Sequence, residues 1–171
     1  YSQNAVTFLL IAAMTLAMLA AAFNPWTRIR STGVSMKSSH KDALRAIVGA
    51  DHFTDAREEC LCYAYDATRA QYLPEAVVFP GTTREVADVL RLADTHGIAV
   101  VPRGAGSGFS GGALPVAGGL VMAMNRFNRI RSIDTDNLIA EAQPGVVTGK
   151  FHAAVEKKGL FYPPDPASSD F

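Results

Sequence analysis

The most glycine-rich stretch of the chain is V-V-P-R-G-A-G-S-G-F-S-G-G-A-L-P, from Val100 to Pro115. Five glycines lie within nine of its positions, at 104, 106, 108, 111 and 112. A segment with so few side chains has little to bury, but it can adopt positive φ angles and let a ligand approach its backbone closely. Successive exposed N–H groups in such a loop form an anion-binding concavity. This glycine loop is therefore predicted to bind the phosphates of a nucleotide cofactor.

Apolar runs on both sides of the glycine loop predict strands at residues 98–101 and 120–124. In a Rossmann unit the glycines open a helix directly. Here they lead through Ala113, Leu114 and Pro115 to a second strand. The G-x-x-x-x-G-K-S/T pattern of a P-loop is also absent from the sequence. These observations leave a loop between two strands that binds an anion through its backbone N–H groups.

The rest of the sequence alternates between the patterns of strands and helices. Ala76 to Phe79 is a short apolar run that predicts a buried strand. Thr82 and Glu85 form a capping box, from which a helix is predicted to run to His96-Gly97. The other expectations are a helix at 41–48 capped by Ser39 or His40, a polar stretch at 51–59, an irregular segment at 60–71, strands at 130–133 and 138–142, and a helix at 147–158. The expected fold class is α+β.

The composition excludes several classes of protein. Of 171 residues, 49% are hydrophobic and 19% are charged, which is typical of a globular chain. Lys+Arg and Asp+Glu are both 16, so the formal net charge is zero and nucleic acid is not an expected partner. Cys60 and Cys62 are too few for a disulfide framework, and no second Cys/His pair lies at zinc-ligand spacing. We expect reduced thiols and no metal.

Ala5 to Phe23 is a run of 19 residues without a charge. As a helix it would be roughly 28 Å long, close to the hydrocarbon thickness of a bilayer. Three interpretations remain open: a transmembrane or signal-anchor helix, a cleaved signal peptide, and a stretch foreign to the natural protein, which would then start at Met36. A membrane helix followed by Arg28 and Arg30 would anchor a cytoplasmic domain to the inner face of the membrane.

The chain is expected to divide at residue 38. Residues 1–37 form the hydrophobic segment and a linker, and residues 38–171 form the cofactor domain. The chain begins with Tyr1 rather than Met and ends at Phe171, directly after a proline-rich loop. We therefore expect a fragment whose cofactor domain is truncated at its C-terminus.

Four motifs that occur in a fixed order resemble one known family. They are P-E-A-V-V-F-P-G-T-T-R-E-V from Pro74, the glycine loop, Q-P-G-V from Gln143, and Y-P-P-D-P from Tyr162. Together they resemble the PCMH-type FAD-binding domain of the vanillyl-alcohol-oxidase-like flavoproteins. Within that family they are most similar to the branch of the glycolate oxidase FAD subunit and D-lactate dehydrogenase. The resemblance covers about residues 44–171.

The resemblance implies that FAD is the cofactor and that two loops bind it. The backbone of the glycine loop would wrap the pyrophosphate, and a second loop near the end of the chain would approach the flavin. The implied FAD-binding residues are Pro102, Arg103, Gly104, Ala105, Gly106, Ser107, Gly108, Ser110, Gly111, Gly112, Pro164, Asp165, Pro166 and Ser168. Another branch of the family attaches its flavin to a histidine in the glycine loop. This loop has Ala105, Ser107 and Phe109 instead, so FAD should be bound non-covalently.

Several of these residues keep two interpretations. Arg103 could neutralise a phosphate or brace the loop by donating to nearby carbonyls. Ser107 and Ser110 could donate to phosphate oxygens or be small residues that fit a tight backbone. Asp165 fits a turn former among prolines, and Asp66 lies in a Tyr/Asp-containing segment that family members keep, with no role assigned here. The four histidines at 40, 52, 96 and 152 are expected to be structural.

The resemblance also implies the activity. The chain would be the FAD-binding portion of a dehydrogenase or oxidase that acts on a D-2-hydroxy acid such as glycolate or D-lactate. An iron–sulfur protein or a membrane carrier would accept the electrons. The family's substrate-side His and Arg residues lie in a C-terminal cap domain, so no catalytic residue is assigned in this chain. Two alternatives remain: a membrane-anchored, non-catalytic flavin-binding electron-transfer module, and another family oxidase such as an alkyl-glycerone-phosphate synthase-like enzyme.

Overall fold

The computed structural model describes residues 35–164 and residue 170. The hydrophobic segment Ala5 to Phe23 and three of the implied FAD-binding residues, Asp165, Pro166 and Ser168, lie outside the described residues. Among the residues that are described, no helix is both long enough and apolar enough to cross a membrane.

Residues 35–164 form both helices and strands. The helices are α1 (Ser38–Val48), α2 (Arg57–Leu61), α3 (Thr83–His96) and α4 (Thr148–Glu156), with a 3-10 turn at Ala50–His52. The strands are β1 (Phe53–Thr54), β2 (Ala76–Val78), β3 (Val100–Arg103), β4 (Leu120–Ala123), β5 (Ile130–Asp134) and β6 (Ile139–Ala142). The predicted mixed class of helices and strands is confirmed.

Four strands form the central sheet in the order β1-β2-β4-β3. β2, β4 and β3 are parallel to one another, and β1 pairs antiparallel with β2. Because β3 and β4 are parallel neighbours, the chain between them must return from the end of β3 to the end of the sheet at which β3 begins. The glycine loop, together with the turn that follows it, makes this return at residues 104–119. It is a loop between two strands, as the sequence predicted.

The two faces of the central sheet are covered differently. Helices α1 and α3 pack on one face, where Leu44 and Val89 meet Val78 and Leu120 in the largest buried cluster. Alternate residues of the strands point to the other face, where Val77 and Val121 belong to a second buried cluster. It includes Cys60 of α2, Tyr63 just after α2, and Phe79 just after β2. The apolar runs of β2 and β4 therefore reflect strands that are buried on both faces.

Helix α3 begins much as the capping motif predicts. The Thr82 Oγ1 atom accepts a hydrogen bond from the Glu85 amide at 3.2 Å. The Glu85 carboxylate, however, accepts from the Gly81 amide at 2.7 Å, rather than from the Thr82 amide of a full capping box. Gly97 ends the helix in the left-handed conformation with φ of 65°. Both ends of α3 are thus held by local side-chain and backbone chemistry.

Three expectations about the first part of the chain were wrong in detail. Helix α1 begins at Ser38 rather than at residue 41, because the Lys37 amide donates to Nδ1 of His40 and so stabilises an earlier first turn. The stretch at 51–59 contains β1, whose Phe53 is buried in the core. The segment at 60–71 starts inside α2, since Cys60 faces the sheet. Met36, just before α1, is also part of the core.

The strands β5 and β6 form a separate antiparallel hairpin. β6 is exposed along its whole length, and β5 is only partly covered. The turn that follows the hairpin carries the Q-P-G-V motif and leads into α4. This turn lies close to the end of β4, because the Gly145 amide donates to the Phe127 carbonyl at 2.7 Å.

Candidate functional site

The glycine loop is exposed and shaped by its glycines. Gly106 and Gly111 have φ angles of 75° and 76°, in the left-handed region that disfavours residues with a Cβ atom. At Gly104 and Gly108 an added Cβ atom would meet nothing within 4 Å, so open space lies beside the backbone there. A ligand could therefore approach the main chain closely at these two positions.

Arg103, the last residue of β3, supports the loop from its inner side. It is 5% exposed, and its guanidinium group occupies the space next to Gly106 that a Cβ atom would need. Nη1 donates a long hydrogen bond of 3.5 Å to the Ala113 carbonyl. The guanidinium group also lies 5.7 Å from the centre of the Tyr63 ring. Of the two interpretations of Arg103, the structure shows the contacts of the bracing one.

A cleft of about 430 Å³ opens beside the start of the glycine loop. The loop contributes Gly104 and Ala105 to its wall. The remaining lining residues come from the segment after β4, the Q-P-G-V turn and α4: Asn125, Asn128, Pro144, Gly145, Val146, Val147 and Lys150. The cleft lining thus offers amide side chains, one ammonium group and the main chain at two glycines. No carboxylate occurs among its described lining residues. This donor set suits an anionic ligand that also accepts hydrogen bonds.

The Q-P-G-V turn can form this wall only with glycine at position 145. An added Cβ atom on Gly145 would lie 2.9 Å from the Phe127 carbonyl oxygen and would also overlap the Met124 carbonyl. The absence of a side chain lets the turn pack directly against the chain after β4. Asn125 and Asn128 are thereby brought next to the glycine loop.

The second implied loop is described only as far as Pro164. Its carbonyl oxygen lies 2.7 Å from Nε2 of His152 on α4, so the ring donates this hydrogen bond from a protonated Nε2. Tyr162 packs edge-on against the rings of His152 and Phe151, with centroids 5.2 and 4.8 Å away. His152 has the structural role expected of it, and that role is to attach this loop to α4.

The structure brings together only part of the implied set. Gly104 and Ala105 line the cleft, and Arg103 lies behind the loop. The other loop residues are placed along the exposed crossover outside the cleft lining: Ser107, Gly108, Ser110, Gly111 and Gly112. Pro102 pairs with Met122 inside the sheet.

Sequence reasoning missed three polar residues of the cleft. Asn125, Asn128 and Lys150 lie 20 or more positions after Gly104 and Ala105, the loop residues that line the cleft, and carry no motif of their own. The one available signal was the Q-P-G-V motif. Its glycine indicates that the main chain there packs closely against another segment, but it does not identify that segment.

Cys60 is buried and Cys62 is exposed, and both are free thiols. Within the described residues, no group of three or more His, Cys, Asp or Glu side chains could hold a metal ion.

Comparison with known proteins gives the class to which these features belong. A family model described as "FAD binding domain" matches residues 74–171, a range that contains the glycine loop and the cleft. The chain belongs to this family of PCMH-type FAD-binding domains, and its cofactor is FAD. The residues present fit that cofactor: open space beside Gly104 and Gly108, the exposed loop amides and Lys150 suit a diphosphate.

The curated relatives that the chain matches are longer proteins. The chain is 44% identical over 129 residues to glycolate oxidase subunit GlcD of Bacillus subtilis (strain 168), covering 75% of this chain and 27% of that protein. It is 39% identical over 93 residues to D-lactate dehydrogenase of Anaerostipes hadrus, covering 54% and 20% of the two chains. For D-2-hydroxyglutarate dehydrogenase of Stutzerimonas stutzeri (strain A1501) the identity is 38% over 129 residues, covering 75% and 28%. The chain spans about a quarter of the length of these relatives.

Solved structures show the same fold at lower identity. An alkyldihydroxyacetonephosphate synthase matches with a TM-score of 0.71 at 22% identity, over 80% of this chain and 30% of that one. A p-cresol methylhydroxylase matches with a TM-score of 0.66 at 22% identity, over 75% and 27%. The predicted PCMH-type domain is confirmed.

Proposed function

We propose that this chain is the FAD-binding part of a flavin-dependent oxidoreductase that oxidises a D-2-hydroxy acid of the glycolate or D-lactate kind. The observation that carries this proposal is the 44% identity to a glycolate oxidase subunit over 129 residues. The relatives named for D-lactate and D-2-hydroxyglutarate share the 2-hydroxy acid and support the same class of substrate.

In this proposal the glycine loop binds the diphosphate of FAD. The exposed amides around Gly104 and Gly108 donate to phosphate oxygens, because the open space there admits a ligand to the backbone. Lys150, which also lines the cleft, supplies positive charge. Arg103 acts from behind the loop as a brace. Ala105, Ser107 and Phe109 offer no group that would attach a flavin, so FAD is held non-covalently.

The role of this chain in the reaction is to bind and orient the cofactor. Bound FAD supplies the oxidising power, since it accepts the two electrons and the hydrogen released from the hydroxyl-bearing carbon of the substrate. His152 holds the backbone at Pro164 and thereby sets where the second loop begins. The catalytic base and the substrate-binding side chains are not assigned to this chain.

Partners and location follow from the same proposal. An iron–sulfur protein or a membrane carrier accepts the electrons from the flavin. The FAD domain lies on the cytoplasmic side, and Ala5 to Phe23, if it is a membrane helix, holds it at the inner face. N-terminal sequencing of the natural protein tests the anchor, which a start at Met36 would remove.

Anaerobic reduction of the flavin tests the activity. The protein at its full natural length is purified with FAD, and its absorbance near 450 nm is followed after addition of glycolate, D-lactate or D-2-hydroxyglutarate. Bleaching by at least one of these acids, with no bleaching by L-lactate, is the expected result. A flavin that binds but is reduced by none of them would contradict the enzyme proposal and favour the non-catalytic electron-transfer module.

A further inference from the structure

A short turn directly after β4 supplies two of the polar side chains of the cleft. Asn125 and Asn128 line the cleft together with Gly104 of the glycine loop. Both asparagines are exposed, so the core does not hold their side chains in place. An exposed amide group meets a ligand in a defined direction only where the main chain that carries it is fixed. The contacts that fix this turn therefore matter for what the cleft binds.

Phe127 fixes the middle of the turn. Its side chain is buried. Its amide donates to the Met124 carbonyl at 2.9 Å, and its own carbonyl accepts the Gly145 amide at 2.7 Å. These contacts hold the turn to the end of β4 and to the Q-P-G-V turn.

Arg126 joins the same turn to the connection between β2 and α3. Nη1 donates to the Phe79 carbonyl at 2.7 Å and lies 3.8 Å from the Glu85 carboxylate. Gly81 leaves room for this group, because an added Cβ atom at position 81 would lie 2.7 Å from the guanidinium carbon of Arg126. The Glu85 carboxylate also accepts the Gly81 amide at 2.7 Å. The guanidinium group of Arg126 is thus placed by one carbonyl, one carboxylate and one missing side chain.

We propose that Arg126 is a positioning residue, which fixes the turn at residues 124–128 so that Asn125 and Asn128 present their amide groups to FAD in the cleft. Arg126 is not among the described lining residues of the cleft, and its guanidinium group is bound to the β2–α3 connection. It therefore acts through the two asparagines. The inference rests on the proposed binding of FAD in this cleft.

The first test compares Arg126→Met with Arg129→Met in the protein at its full natural length. Methionine keeps an apolar stem but cannot donate to the Phe79 carbonyl or pair with Glu85. Arg129 is a matched control, since it carries the same charge on the same segment, and both hydrogen bonds that join it to Gln143 use the main chain of Arg129. Amide hydrogen exchange is followed in the FAD-free protein, and FAD affinity is measured by flavin fluorescence.

Arg126→Met is expected to speed amide exchange at residues 125–128 by about threefold or more and to weaken FAD binding by roughly three- to tenfold. The loss of affinity is modest because 35% of the Arg126 side chain is exposed. Arg129→Met should change either quantity by less than about twofold. Unchanged exchange at residues 125–128 in Arg126→Met would overturn the proposal, whatever happens to FAD affinity. Because this readout needs no cofactor, it separates the inference from a failure of the proposed FAD site.

A double-mutant cycle tests whether Arg126 acts through the asparagines. Arg126→Met is introduced into a protein that already carries Asn125→Ala and Asn128→Ala. There it should weaken FAD binding by less than about twofold, because no amide group is left to be positioned. A loss as large as in the wild-type background would overturn the proposal, since Arg126 would then act on FAD directly or through general stability. FAD affinity that the two alanines leave unchanged would overturn it as well.

Gly81→Ala tests the same contact without changing any residue of the turn. Gly81 is not among the glycines with a positive φ angle, so alanine adds no backbone strain there. Its Cβ atom must displace the guanidinium group of Arg126. Exchange at residues 125–128 should therefore rise as it does in Arg126→Met. Unchanged exchange in Gly81→Ala would overturn the proposal even if Arg126→Met did not fold.

Discussion

The guanidinium group of Arg103 fills the space that a Cβ atom on Gly106 would need. Arg103 ends strand β3, and Gly106 lies three residues later in the exposed loop. Position 106 therefore needs glycine for two reasons. A side chain there would collide with the buried arginine, and the φ angle is positive. The glycine loop is therefore shaped from inside the fold, before any cofactor is bound.

Gly106→Val is expected to abolish FAD binding. The added side chain must displace Arg103 and adopt a left-handed φ angle, which together destabilise the loop by about 1–3 kcal/mol or more. Strands β2 and β4 should still form, because their buried contacts lie elsewhere. Flavin fluorescence titration and circular dichroism measure the two effects. Gly104→Ala is the control for folding, since open space lies beside it. Normal FAD affinity in Gly106→Val would show that this loop is not the FAD site.

Lys150→Met should weaken FAD binding by roughly three- to tenfold at low salt. The variant keeps most of the side-chain length but removes the one ammonium group of the described cleft lining. Since Lys150 is exposed, added salt should reduce the difference between variant and wild type. Lys158→Met, just beyond the end of the same helix, is the control for a general change in charge. An equal loss of affinity in both variants would argue against a specific contact by Lys150.

Substitutions at Gly118 and Gly119 would distinguish the effect of backbone strain from that of a steric clash. Both have positive φ angles, of 69° and 74°. An added Cβ atom on Gly119 would overlap the Ala99 carbonyl, whereas one on Gly118 would lie 3.7 Å from the Glu75 carboxylate. Gly119→Ala should therefore lower the free energy of unfolding by about 1–3 kcal/mol more than Gly118→Ala. Urea denaturation measures the free energy of unfolding of both variants. Equal losses of stability would mean that the chain near Gly119 and Ala99 shifts freely to admit the added Cβ atom.

His40 makes stability depend on pH. Its ring is buried and stacks on His96 with centroids 4.3 Å apart. Burial, then the charges of His96 and Lys37, lower the pKa of His40 below its ordinary value. The unfolded chain therefore binds a proton more readily than the folded one. Stability is fully present above the unfolded pKa of about 6.5 and declines as the pH falls from there toward the lower folded pKa.

Urea midpoints measured between pH 7.5 and 5 test this dependence. The midpoint of the wild type should fall across this range, and His40→Gln should flatten that fall. His52→Gln serves as the control, because His52 lies outside the stacked pair. A wild-type midpoint that is constant over the range, or a His40→Gln variant as pH-sensitive as the wild type, would contradict the assignment.

The central features of this domain could be read from local sequence. Glycines at 104 to 112 predict an exposed loop because their conformational freedom is a property of each residue by itself. Thr82, Glu85 and Gly97 mark the two ends of α3 because capping contacts join residues a few positions apart. The apolar runs around 77 and 121 predict buried strands for a similarly local reason.

The tertiary structure alone decided which distant residues meet at the loop. Nothing in the pattern around Ala67 places its amide on the Gly108 carbonyl, and nothing around Lys150 or Asn125 places them in the same cleft as Gly104. These contacts depend on β3 and β4 being parallel neighbours, and on Gly145 letting its turn pack against the chain after β4. That an exposed, glycine-rich loop joins two strands could be read from the sequence, because that property is local. Only the folded chain determined what braces the loop and what faces it, because those contacts join residues far apart in sequence.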